Sequence, residues 1–170
     1  MKNFLRKKKV SSVLGKNQRK RSFLNFDSIQ NILIIFNISD IEQISKVIED
    51  LKETGKTVTA WTTLSKEKQG ISLPEGVKAI DPTKDVSWSQ SLSKKIIEEF
   101  EEAQYDTFID LTVNEDNILK YLLAINNSQF CIGIRENDRS IYDFVLLKKT
   151  DDSLFETYEQ IKFYLEKMSS

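Results

Sequence analysis

The densest set of oxygen-bearing side chains is Asp110, Thr112, Asn114, Glu115 and Asp116, five within seven residues. That inventory suits a hard divalent cation, but it lacks the Asp-x-Asp-x-Asp-Gly spacing of a calcium loop. The same residues also read as a helix start, with Thr112-x-x-Glu115 as a capping box and the acids favoured by the positive helix end. No metal site is therefore assigned. A second group is the turn Asn37-Ile38-Ser39-Asp40, where Ser39 reads as an N-cap and Asp40 as a first-turn acid. The segment 135–139 (RENDR) carries two arginines that could clasp a phosphate or carboxylate, against the alternative of a solvated loop with its own ion pairs. Asp40, Asp110, Thr112 and Arg135 are thus the candidate ligand-binding residues. No catalytic residue is assigned, and Asp40 is the single candidate.

Several chemistries are excluded outright. The chain has no histidine, so an imidazole base, a His-ligated zinc and a Ser-His-Asp triad cannot come from it. Its one cysteine, Cys131, allows neither an internal disulfide nor a multi-cysteine metal site. That cysteine lies in an apolar run and reads as a small core residue. No glycine stands in the 37–40 turn, so the backbone approach that a dinucleotide phosphate needs is missing and no cofactor is expected. Trp61 reads as core. Trp88, in a polar stretch before a helix, reads either as an exposed contact or as a hydrophobic staple.

The elements that must position these residues follow from periodicity. The run 29–37 (IQNILIIFN) is apolar on both faces, as a central parallel strand requires. Ser39-x-x-Glu42 is a capping box for a helix over about 40–54, striped by Ile41, Ile44, Val47, Ile48 and Leu51 and stopped by Gly55. A β-branched run at 56–64 predicts a strand, 65–76 a loop, and 77–80 a short strand. A helix over about 89–103 follows, with Ser87 or Ser89 as its cap, then a strand at 105–111. A helix to about 126, a buried strand at 130–134 and a strand at 141–148 come next. Ser153-x-x-Glu156 opens the last helix. Alternating strands and helices predict one three-layer α/β/α domain of Rossmann-like type with a mostly parallel sheet, spanning 28–170.

Charge divides the 170-residue chain in two. Residues 1–21 hold nine Lys or Arg and no acid, while the remainder holds 16 bases against 26 acids. Such a block predicts a flexible basic tail over 1–27 and an arm for a polyanion. Lys7, Lys8, Lys9, Lys16, Arg19, Lys20 and Arg21 are its candidate contacts. RNA is favoured over a membrane surface, because Phe4, Leu5, Val10, Val13 and Leu14 point around most of a helix circumference. The alternative is a tail that folds back on its own acidic body. The longest apolar run, 32–36, is far below the roughly 20 residues of a spanning helix, and no signal-type apolar stretch follows the basic start. A cytoplasmic protein, with its N-terminus retained, is the expectation.

The segments Ile32-Leu33-Ile34-Ile35, Ser39-Asp40-Ile41, the strand with Val58 and Trp61, 105–111 (YDTFIDL) and 130–134 (FCIGI) resemble the N-terminal half of heptosyltransferase-type GT-B glycosyltransferases over about 29–135. Together with 141–144 and 160–165, the pattern is also similar to uncharacterised bacterial proteins of this size. The resemblance implies a Rossmann-like fold, with Asp40 matching the acid of a Gly-Asp-Val turn and Ser39 replacing its glycine. It covers one half of such an enzyme, so a sugar-donor site of that type would need the other half from another chain. Two functions are carried forward. The first is a non-enzymatic adaptor whose basic arm contacts RNA, free or on the ribosome. The second is a glycosyltransferase-like domain that binds a sugar or small anion.

Overall fold

The computed structural model describes residues 9–136 and 141–169. Six strands form one all-parallel sheet: β1 (Asn31–Ile35), β2 (Thr57–Thr63), β3 (Val77–Ile80), β4 (Thr107–Asp110), β5 (Phe130–Gly133) and β6 (Phe144–Val145), in the order 3-2-1-4-5-6. The most apolar run lies at the centre, hydrogen-bonded to β2 and β4 on its two sides. The residue alternation of the strands creates two cores. Ile32, Ile34, Val58, Ala60, Ile109 and Ile132 face one side, and Leu33, Ile35, Trp61, Phe108 and Cys131 face the other.

Four helices cover these faces. The stripe Ile44, Val47, Ile48 and Leu51 of α2 (Ile41–Glu53) and Leu154, Tyr158, Ile161 and Leu165 of α6 (Leu154–Lys167) close the first core. Ile96 and Phe100 of α4 (Lys94–Glu102), with Ile118, Leu119, Leu122 and Leu123 of α5 (Asn117–Ile125), close the second. Each large apolar side chain buried in this way contributes about 1.5–3 kcal/mol, which is why the sheet needs both layers. A short helix, α3 (Pro82–Asp85), precedes α4.

The ends of the helices show where side-chain chemistry chose between local options. The Ser153 and Glu156 capping box forms, and Gly55 ends α2 at φ +81°. The other two boxes do not. A 3-10 turn at Ile38–Asp40 takes the place of the Ser39 cap, and α2 starts after Asp40 with no side-chain cap bond. Thr112 is engaged by Asp110, so Asp116 caps α5 by accepting from Ile118 N and Leu119 N. The helix placed at 89–103 begins at Lys94 with Ser93 as cap, because 86–92 closes on itself through a Val86–Leu92 antiparallel bridge. The strand placed at 141–148 is regular only at Phe144–Val145, although Asp143 N, Leu146 N and Lys148 N also donate to the carbonyls of Cys131, Gly133 and Ile134.

The flexible tail through residue 27 is corrected for residues 9–27, which pack on the domain. Lys9 to Leu14 form helical turns (α1, 9–14) that bury Val10 and lean Leu14 on the second core. Beyond them, Asn17 Nδ2 donates to the carbonyls of Ala124 and Asn126, taking up acceptors at the C-terminal end of α5. Ser22 N donates to Gln129 O, and the Phe23 ring meets Phe130 edge-on at 4.8 Å. Lys56 Nζ then holds the carbonyls of Phe26 and Ile29 at 2.7 and 2.8 Å. The packed body therefore extends back to residue 9.

Candidate functional site

Ligands in an open parallel sheet bind beyond the carboxyl ends of the strands, where the strand order reverses. Here that point lies between β1 and β4, and Asp110 closes β4 there, in register with Ile35 of β1 and Gly133 of β5. Asp110 is 1% exposed. Its Oδ1 accepts from Thr112 N at 2.9 Å and Thr112 Oγ1 at 2.5 Å, and its Oδ2 accepts from the Tyr142 hydroxyl at 2.6 Å. Arg135 Nη2 stands 3.6 Å from Asp110 Oδ2 and donates to Thr112 Oγ1 at 2.7 Å. The fold thus joins three of the four candidate ligand residues, Asp110, Thr112 and Arg135, in one hydrogen-bonded network.

That network adds Tyr142, which the sequence did not single out. Its ring lies flat over Gly133, where a Cβ would meet ring carbons at 2.5–2.6 Å. Burial, and then the charge of Asp110, push the Tyr142 hydroxyl well above its ordinary range, so it stays protonated and donates. Both oxygens of Asp110 are occupied by these donors, which tie it into the wall of the sheet edge and leave neither oxygen facing open space. Arg135 is less completely used, since its Nε is buried without a hydrogen-bond partner.

Asp40 occupies the same edge but stands apart from this network. Burial raises its pKa above the ordinary 3.8, and Lys148 partly offsets that effect. Lys148 N bonds to Ile134 O, which puts this lysine beside the end of β5. Asp40 Oδ2 is buried and unpartnered, as is Thr63 Oγ1 at the end of β2. With Arg135 Nε, all three such atoms among the described residues lie at carboxyl ends of strands or in the turns that follow them. The oxygen cluster at 110–116 is dispersed into separate tasks. Asn37 clamps Val113 and Asn114 by accepting from both backbone N–H groups, Glu115 pairs with Lys120 at 3.7 Å, and Asp116 caps α5. No group of three or more potential metal ligands stands together among the described residues.

The candidate polyanion contacts divide by exposure. Lys7 and Lys8 lie outside the described residues, as does Arg139. Lys9, Lys16 and Lys20 are exposed on the packed segment. Arg19 is not, and its assignment as a polyanion contact is corrected: its side chain is 2% exposed and bonds Asp143 Oδ2, Ser128 O and Ile141 O. Arg21 pairs with the other Asp143 oxygen at 3.2 Å and remains half exposed. Asp143 Oδ2 also accepts from Cys131 N, so this carboxylate joins the N-terminal segment to β5. Cys131 is buried, and burial pushes its thiol far above the ordinary value, leaving it an inert core residue. Trp61 is core, and Trp88 is 94% exposed, so it is not the hydrophobic staple, one of its two readings. No helix among the described residues is long and apolar enough to cross a membrane.

The fold and its strand-end network define a Rossmann-like α/β domain without a glycine-rich phosphate loop. The chain belongs to a family of unknown function (DUF6913), whose model matches residues 2–168 and so includes the basic segment. No curated protein matches it.

Proposed function

We propose that the protein is a non-enzymatic, cytoplasmic adaptor whose basic N-terminal segment contacts RNA, free or on the ribosome. The observation that carries this reading is the division of charge, nine bases without an acid in residues 1–21 against an acidic remainder. Packing refines it. Arg19 is spent on Asp143 and Arg21 shares that partner, which leaves Lys9, Lys16 and Lys20 on the surface, joined in sequence to Lys2, Arg6, Lys7 and Lys8. Phosphate contacts of this kind give salt-sensitive affinity with little sequence preference. The test replaces these seven bases with glutamine in the full chain, since cutting at residue 21 would also remove packed backbone. Anisotropy of a labelled single-stranded RNA should show at least a tenfold loss of affinity at low salt. Unchanged affinity sinks the reading.

A second reading is favoured by the unpartnered Arg135 Nε and Asp40 Oδ2 at the strand ends. It is a sugar or small-anion site on Asp40, Asp110, Thr112 and Arg135, in keeping with the resemblance to heptosyltransferase-type enzymes. Bound nucleotide sugar or inorganic phosphate would raise the melting temperature according to RT ln(1 + [L]/Kd). A flat titration of both, with Arg135→Gln melting shifts equal to wild type, ends it.

A further inference from the structure

Helix α6 carries more on its surface than closing the first core requires. Away from its buried stripe, Phe163 and Tyr164 are 54% and 48% exposed and meet edge-on, with ring centres 5.7 Å apart. They end a groove of about 470 Å³ that runs along the helix past Gln160, Glu159, Glu156 and Asp152. Gln160 Nε2 donates to Asp152 Oδ2 and Ser153 N to Glu156 Oε2, so these two acids are held in place without a cation. Glu159 makes no hydrogen bond or ion pair among the described residues. Lys162 is taken by Asp50, and Lys167, 5.5 Å from the Phe163 ring centre, tempers the charge at one end only. The groove is therefore anionic along its length and aromatic at its end, and a surface that fits it carries cations beside an apolar side chain.

The chain itself displays such a surface. Residues 20–23 (KRSF) are tied to the start of β5 by Ser22 N and by the edge contact of Phe23 with Phe130, and all four are exposed. Phe23 remains 43% exposed in spite of that contact. Lys20 has no acidic partner among the described residues, and no ion pair there joins this segment to α6 within one chain. The two surfaces nevertheless adjoin, because Phe26 N donates to Leu165 O at 3.2 Å and brings the chain to the last turns of α6 three residues after Phe23. A two-fold axis beside them sets the segment of each copy on the groove of the other. One patch is then used twice, as an isologous dimer requires.

We infer that this patch joins two copies of the chain, with Lys20 of one copy against the carboxylates around Glu159 of the other and Phe23 against Phe163 and Tyr164. The inference is independent of the RNA reading above, although both call on Lys20. Each contact occurs twice in such a dimer, so reversing one charge sets like charges together at two points.

Sedimentation equilibrium of the full chain at low salt should show a dimer with a dissociation constant of about 10–100 μM that weakens in about 0.5 M salt. Lys20→Glu, Glu159→Lys and Phe163→Ser should each weaken association about tenfold. Mixing the Lys20→Glu and Glu159→Lys chains should return it to the wild-type value, since opposite charges then meet at both contacts. The three side chains are exposed, so the variants keep the fold, which circular dichroism checks. A wild-type chain that stays monomeric at about 200 μM overturns the inference, whatever Lys20→Glu does to RNA affinity. A dimer indifferent to these substitutions, or a mixture that associates no better than either variant alone, places the contact elsewhere and overturns it as well.

Discussion

Asp110 and Asp40 lie at the same sheet edge with opposite fates, and the difference is their partners. Asp110 is deeply buried but receives Thr112, Tyr142 and Arg135, whereas Asp40 has one unpartnered oxygen and only Lys148 to favour its charge. Removing the Tyr142 hydroxyl deprives a buried carboxylate of a hydrogen bond. Tyr142→Phe should therefore lose about 1.5–3 kcal/mol of stability in urea unfolding. Asp40 carries the contrary prediction. Its folded pKa is raised, so its charged form costs stability above that value and nothing below the ordinary 3.8. Asp40→Asn should melt higher than wild type at neutral pH, and the gain should shrink to nothing as the pH falls to 3.8. A gain that persists in acid would show that the carboxylate charge is not its source. The types and positions of these residues were readable, as acids after strands. Their partners were not, because Tyr142 lies 32 residues from Asp110 and meets it only over Gly133.

At the scale of elements, two joints hold separate stretches of chain to the sheet. Arg19 anchors the N-terminal segment on Asp143 with almost no exposure, so removing the cation leaves this mostly buried carboxylate with the half-exposed Arg21 and Cys131 N as its partners. Arg19→Met should cost about 1.5–3 kcal/mol, read by chemical denaturation, and Arg19→Met with Asp143→Asn should recover part of it. The second joint is Asp50 of α2, which accepts from Tyr158 at 2.5 Å and Lys162 at 2.8 Å on α6. Burial acts against its charge, but the bonds from Lys162 and Tyr158 together outweigh it and leave the pKa below 3.8. A lowered carboxyl pKa means stability that is present above 3.8 and lost as the pH falls through the folded value. Asp50→Asn should therefore destabilise at neutral pH, with the difference from wild type fading below pH 3.8 in acid titrations followed by circular dichroism. Helix stripes made both helices legible, since apolar spacing depends only on local sequence. Helix caps were legible only where no other acceptor competed: Ser153 keeps its box, whereas Thr112 gives its hydroxyl to Asp110 two residues before it.

For the whole molecule, the RNA contact proposed above makes the charge division the source of a salt dependence. Each phosphate neutralised on a single strand contributes a slope of about −0.7 to log K against log salt. Replacing Lys2, Arg6, Lys7 and Lys8 with glutamine in the full chain should flatten that slope by up to about 3. An unaltered slope would place the contacts elsewhere, on Lys9, Lys16 and Lys20 or beyond. The sequence by itself determined the layered α/β class, the central strand, the absence of imidazole chemistry and the separation of charge. These properties are set by composition and by periodicities of two and 3.6 residues. Only tertiary structure decided that the segment from Lys9 onward is packed, that Arg19 is structural, and that Asp110, Thr112 and Arg135 meet while Asp40 does not. It also placed Trp88 in solvent. Such facts depend on pairs far apart in sequence, whose free energy comes from shared burial and geometry rather than from any local pattern.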